Sequence, residues 1–152
     1  MLKKILFITL LLNFVSSCDY KPVYSNQNKI NYKIIITGLS GDKDINNLVA
    51  ANLKRNSKDQ SNQTINISFN TIYTKNVLAK NTTGSITDYQ SNVTTKFAIQ
   101  TENNSENFVI NEKFNFKKMI DKYEEKNYER NIKRNLATTI SQKLLLRLAV
   151  FK

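Results

Sequence analysis

Apolar residues recur along most of this chain with one of two periods, and the change of period divides it into elements. Between 29 and 37, Ile30, Tyr32, Ile34 and Ile36 share one face at period two, which predicts a strand. Gly38 and Gly41 then flank a turn. Asp42 or Asp44 can cap a helix in which Ile45, Leu48, Val49 and Leu53 recur at helical spacing to about Arg55. Residues 56–63 are polar and read as a loop. Ile65, Ile67, Phe69, Thr71 and Tyr73 alternate in a second strand running towards Leu78. After a turn at 81–84, Tyr89, Val93, Thr95, Phe97 and Ile99 line a third strand. Asn103 and Asn104 make the next turn, and Phe108, Ile110, Phe114 and Phe116 make a fourth strand. From about Asp121 the period becomes 3.6, with Tyr128, Ile132, Leu136, Ile140, Leu144 and Leu148 in an i, i+4 series.

The order β-α-β-β-β-α predicts an α+β fold: about four strands in a mostly antiparallel sheet, with two helices packed on one face. The alternate strand positions are largely Asn, Thr, Ser and Lys, as expected of a sheet with one wet side. The closing helix has two unlike halves. Glu124, Glu125 and Glu129 suit the positive end of its dipole, and Lys126, Arg130, Lys133 and Arg134 cluster on one side. Beyond Ile140, apolar residues surround the axis, so more than one face must be covered. Leu145, Leu148 and Phe151 are therefore candidate partner-facing positions.

The start of the chain sets the compartment. Lys3 and Lys4 precede an apolar run from Ile5 to Val15, and Val15-Ser16-Ser17-Cys18 fits a bacterial lipobox, with cleavage between Ser17 and Cys18. The run is about half of the roughly 20 apolar residues that a spanning helix needs. Cys18 would supply both the thiol for a lipid thioether and, after cleavage, an α-amine for a further acyl group. The organisation expected is a signal peptide at 1–17, a lipidated tether at 18–29 and a single domain at 30–152.

Composition narrows the function classes. Cys18 is the only cysteine, so packing without a disulfide must hold the domain. The formal net charge of +11 favours acidic or phosphorylated surfaces, and an export signal argues against nucleic acid. With no histidine, the commonest metal ligand and general base is missing, and no metal or other cofactor is expected. Gly38-Leu39-Ser40-Gly41 reads as a simple strand-to-helix turn, since Asp42 would repel phosphate. Ser40-x-x-Lys43 lacks the companion K-T-G of serine acyl enzymes. Glu125 and Glu129 lie one turn apart, yet basic neighbours make them a solvated helix start. No enzyme is expected.

Two segments resemble the LPS-assembly lipoprotein LptE family. The first is Cys18-Asp19-Tyr20-Lys21-Pro22-Val23-Tyr24, similar to the aromatic-basic-proline-apolar-tyrosine run that follows the cysteine in many members. The second is the closing helix, Tyr128 through Leu136-Ala137 and Ile140 to Arg147-Leu148-Ala149-Val150-Phe151. The resemblance implies a non-enzymatic outer-membrane lipoprotein, anchored at the periplasmic face, that plugs a large LptD-type β-barrel and assists lipopolysaccharide delivery to the outer leaflet. Its partners would be that barrel, lipopolysaccharide and the membrane. Arg130, Lys133 and Arg134 are candidate lipopolysaccharide-phosphate contacts, chosen for their basic face. Asp19 leaves inner-membrane retention open, because an acidic residue there retains lipoproteins in some bacteria. The alternative is a lipid-anchored auxiliary or pilotin-like subunit of another transport or secretion system.

Overall fold

The computed structural model describes residues 30–151. The lipobox, Ser17, Cys18, Asp19 and the rest of the tether up to residue 29 lie outside the described residues. Six elements follow in the expected order: β1 (Lys33–Gly41), α1 (Lys43–Asn56), β2 (Thr64–Lys80), β3 (Ile86–Gln100), β4 (Ser105–Lys117) and α2 (Lys122–Val150). The strands form one sheet in the order β1-β2-β3-β4. β1 runs parallel to β2, joined through α1, while β2, β3 and β4 pair antiparallel.

The strand residues at period two fill the helix-side face. Ile65, Ile67 and Phe69 of β2, Val93, Phe97 and Ile99 of β3, and Ile110 and Phe116 of β4 are buried there. Phe97 holds the centre, its ring 5.2 Å from Phe69 and 5.4 Å from Phe108. α1 contributes Ile45, Val49 and Leu53, all fully buried, and α2 contributes Ile132, Leu136, Ile140, Leu144 and Leu148. Each fully buried Leu or Ile stabilises the fold by about 1.5–3 kcal/mol relative to exposure. Such packing must suffice, because the single cysteine precludes an intramolecular disulfide.

The two helices start on matching caps. The Asp42 carboxylate accepts from the Ile45 amide at 3.0 Å, and the Asp121 carboxylate accepts from the amides of Tyr123 and Glu124. Gly41, just before the first cap, has φ +89, and a Cβ there would stand 1.9 Å from the Thr71 carbonyl oxygen. Only glycine fits there, where the end of β1 closes on Thr71 of the neighbouring β2.

β1 is shifted relative to the sequence expectation of 29–37. Its first residues form a bend, and its last run through Gly38 to Gly41, with an irregular register between Ile36 and Gly38. The turn therefore falls at Gly41 alone. The free edge of β1 is covered at both ends. The Ser57 hydroxyl accepts from the Ile34 amide at 3.0 Å, the Lys58 amide donates to the Tyr32 carbonyl at 3.0 Å, and the Asn46 side-chain amide donates to the Ser40 carbonyl at 2.8 Å.

Candidate functional site

The unlike halves of α2 match an unlike floor. Over its C-terminal half the sheet is mainly apolar, with Glu106 and Glu112 on β4 paired to Arg147 and Lys143 of the helix. Over its N-terminal half the inward positions are Thr71, Tyr73, Lys75, Ser91 and Thr95, and these pair among themselves and with the helix. Thr71 and Thr95 hydroxyls lie 3.0 Å apart, and Tyr73 Oη sits 2.8 Å from Ser91 Oγ while donating to Glu129 at 2.7 Å. Lys75 Nζ bonds Glu125 at 2.8 Å and Glu129 at 3.1 Å, and rests 4.2 Å from the Tyr89 ring centroid.

In this layer one ammonium is shared by two carboxylates. Burial lowers the Lys75 ammonium affinity for its proton, but the Glu125 and Glu129 carboxylates outweigh that and hold its pKa above the usual lysine value. The Lys75 hydrogen bond, with help from the Met119 amide, holds Glu125 below the ordinary carboxylate range against a smaller desolvation penalty. Burial pushes the Tyr73 phenol well above its normal range; Ser91 opposes this and Glu129 adds to it. Ser91, Tyr73 and Glu129 form a chain of hydroxyls and a carboxylate, but Ser91 is fully buried between sheet and helix. The chain is an internal brace.

The basic cluster chosen from the sequence is split. Lys133 Nζ sits 2.7 Å from Asp42 and 3.7 Å from Asp44, over the Tyr73 ring at 4.4 Å, with its side chain 17% exposed. It ties α2 to the N-terminus of α1. The Asp42 carboxyl is raised by burial but lowered further by Lys133 and the Ile45 amide, so its pKa lies below the usual range. Arg130 and Arg134 are exposed, and Arg130 is hydrogen-bonded to Asn127. Lys133 thus faces inward, away from those two.

The candidate partner-facing residues also turn inward. Leu145 is 5% exposed and Leu148 is fully buried, one and two turns beyond Ser141 on a stripe that meets Asn52 of α1. The Asn52 side chain reaches Ser141 Oγ at 3.3 Å along that contact. Phe151 packs against the core, and its carbonyl accepts from Tyr32 Oη at 2.7 Å. Leu146 and Val150 are the apolar residues of this end that stay exposed.

The surface that sequence reasoning left unassigned is the reverse side of the sheet. None of the described elements covers it. In register across it run rows such as Thr74–Asn92–Lys113 and Asn70–Lys96–Val109. A depression of about 560 Å³ lies at Gly38, Ser68 and Ala98, whose small side chains stand in one cross-strand row. Period-two alternation marks this face in the sequence, but as the polar half of each strand it carries no signal of a site.

No protein-family model and no curated protein sequence matches the chain. Solved structures do. Rare lipoprotein B from Shewanella oneidensis superimposes with a TM-score of 0.52 at 17% identity, over 71% of this chain and 93% of that one. A candidate lipoprotein from Caulobacter crescentus gives a TM-score of 0.50 at 8% identity, over 80% of this chain and 90% of the other. At those identities the likeness establishes the fold alone. The chain shares its α+β architecture with bacterial lipoproteins. Among the described residues no helix is long and apolar enough to cross a membrane.

Proposed function

We propose that this protein is a non-enzymatic lipoprotein, anchored through Cys18 at the periplasmic face of the outer membrane, that assembles with and plugs an LptD-type β-barrel and assists lipopolysaccharide delivery. The observation that carries this reading is the fold match to rare lipoprotein B, over 71% of this chain and 93% of that one, behind a lipobox at residues 15–18. The resemblance of both ends of the chain to the LptE family supports it, and so does the net positive charge, which suits a phosphorylated glycolipid.

Within this reading, the exposed Arg130 and Arg134 remain the candidates for lipopolysaccharide phosphate, since planar guanidinium groups bind phosphate in bidentate fashion. Lys133 keeps only an indirect part, because its ammonium is engaged by Asp42. Leu145 and Leu148 are buried in the core of the domain, so a partner surface is sought elsewhere.

Detergent extraction and pull-down of the tagged, full-length protein from its native envelope tests the proposal, with Cys18→Ala as a control for anchoring. Stoichiometric recovery of a large β-barrel of the export complex is the expected result. Recovery of a different transport or secretion component, with no barrel, would overturn it in favour of the pilotin-like alternative.

A further inference from the structure

The sheet separates charge between its faces. Glu106 and Glu112, the acids of β4, stand opposite the buried Ile99 and Val93, on the helix side. There Arg147 and Lys143 of α2 neutralise them, and the Arg147 guanidinium lies 4.4 Å over the Phe108 ring. β2 carries no acid at all. The register leaves the reverse face with Lys33, Lys96, Lys113 and Lys117 against one carboxylate, Asp88, which is paired across from Lys117.

Amides and hydroxyls fill most of the rest of that face, with the exposed Ile35, Ile72 and Val109 set among them. Gln90 donates to Asn115 at 2.9 Å, the one side-chain hydrogen bond across it among the described residues. Asn70, Thr74, Asn76 and Asn111 are exposed, their side-chain donors and acceptors unused among the described residues. Solvent-facing strands ordinarily mix charges of both signs. A broad field of free amides with a one-sided charge is instead suited to a second polar surface that supplies hydrogen bonds and carboxylates.

We propose that this uncovered sheet face is the surface that meets the barrel, lying against a polar, acidic stretch of its inner wall; the inference rests on the plug reading above. Barrel interiors alternate polar side chains inward, so sheet against sheet brings two hydrogen-bonding surfaces together at the ~10 Å spacing of stacked sheets. Four strands ~4.8 Å apart over about ten residues of ~3.3 Å give a patch of roughly 600 Å². That approaches the ~800 Å² per partner of a stable interface. A bound glycan chain would engage only a narrow strip of it.

The test places a photo-crosslinking residue at Asn92 or Thr94 on the open face, and at Arg55 or Thr138 on the helix side, in the full-length protein within its native envelope. Pull-down of the same variants reads barrel association separately. Adducts with the barrel from Asn92 and Thr94, and none from Arg55 and Thr138, are expected. The double variant Lys96→Glu, Lys113→Glu should lower barrel recovery about tenfold while keeping the wild-type thermal transition, whereas Lys54→Glu, Arg55→Glu should leave recovery unchanged. Barrel recovered with adducts only from helix-side positions, or with open-face adducts only to lipopolysaccharide, overturns the assignment of this face and leaves the plug reading intact. Absence of any barrel in the wild-type pull-down overturns both.

Discussion

The Lys133–Asp42 bridge offers the sharpest test of how the two helices are held. Replacing Lys133 by Met keeps the aliphatic stem and removes the ammonium that sits 2.7 Å from Asp42 and 4.4 Å over the Tyr73 ring. The side chains of the pair are 17% and 16% exposed, so the interaction is neither fully buried nor a surface contact. Breaking a buried pair costs about 3–5 kcal/mol and an exposed one about 0.2–1 kcal/mol. Asp42 keeps the Ile45 amide as a donor, which tempers the loss. A destabilisation of about 2 kcal/mol follows, or roughly 1 M in urea midpoint at a typical denaturant slope. Asp42→Asn retains a capping oxygen, so a double-mutant cycle with Lys133→Met isolates the pair, with an expected coupling of about 1–2 kcal/mol. The pH dependence has a definite sign. Because the folded Asp42 pKa is depressed, its contribution is present above the unfolded value near ~3.9 and is lost as pH falls through the folded value. Wild type should therefore lose stability below about pH 4 more steeply than Lys133→Met. Equal midpoints for the two proteins, with parallel acid limbs, would refute the reasoning.

Other outcomes follow from the same geometry. Leu148→Ala should cost about 2–5 kcal/mol in chemical denaturation, whereas Leu146→Ala, at a position 55% exposed, should stay within about 0.5 kcal/mol. Comparable effects at the two sites would mean that Leu148 is not part of the core. Gly41→Ala should be far more damaging than Gly84→Ala, since both have positive φ but a Cβ meets the Thr71 carbonyl only at Gly41. Thermal melts should show about 1 kcal/mol lost at Gly84 and a much larger loss at Gly41. In an alkaline absorbance titration, a tyrosine fraction should resist ionisation, and Tyr73→Phe should remove that resistant fraction.

The sequence carried the fold well where periodicity was long and unbroken. Thr64–Lys80, Ile86–Gln100 and Lys122–Val150 lie where alternation and the i, i+4 series put them, because each has one face in a single core. The cap of α1 was legible as Asp42 or Asp44, and the structure uses Asp42, while the change of period near Asp121 marked where α2 begins. β1 was displaced because Gly38, which read as one side of a turn, continues the strand beside β2, and only Gly41 is demanded by close approach to Thr71. The site was less legible. Charge and apolarity on a helical wheel give the composition of α2, but not that Leu145 and Leu148 would be buried in the core, nor that Asp42, 91 residues away, would take Lys133. Those contacts depend on how the crossover helix lies against the closing one.

The capped edge of β1 has a consequence for assembly. With Tyr32 and Ile34 engaged at one end by the segment after α1, Ser40 at the other by Asn46, and an irregular register between, this strand offers no continuous template for another. β4, at the opposite edge, interrupts its length with Glu106, Glu112, Lys113 and Lys117. Side-by-side growth of copies into a widening sheet is therefore opposed at both edges. Association through the sheet is left to its open face rather than to its margins.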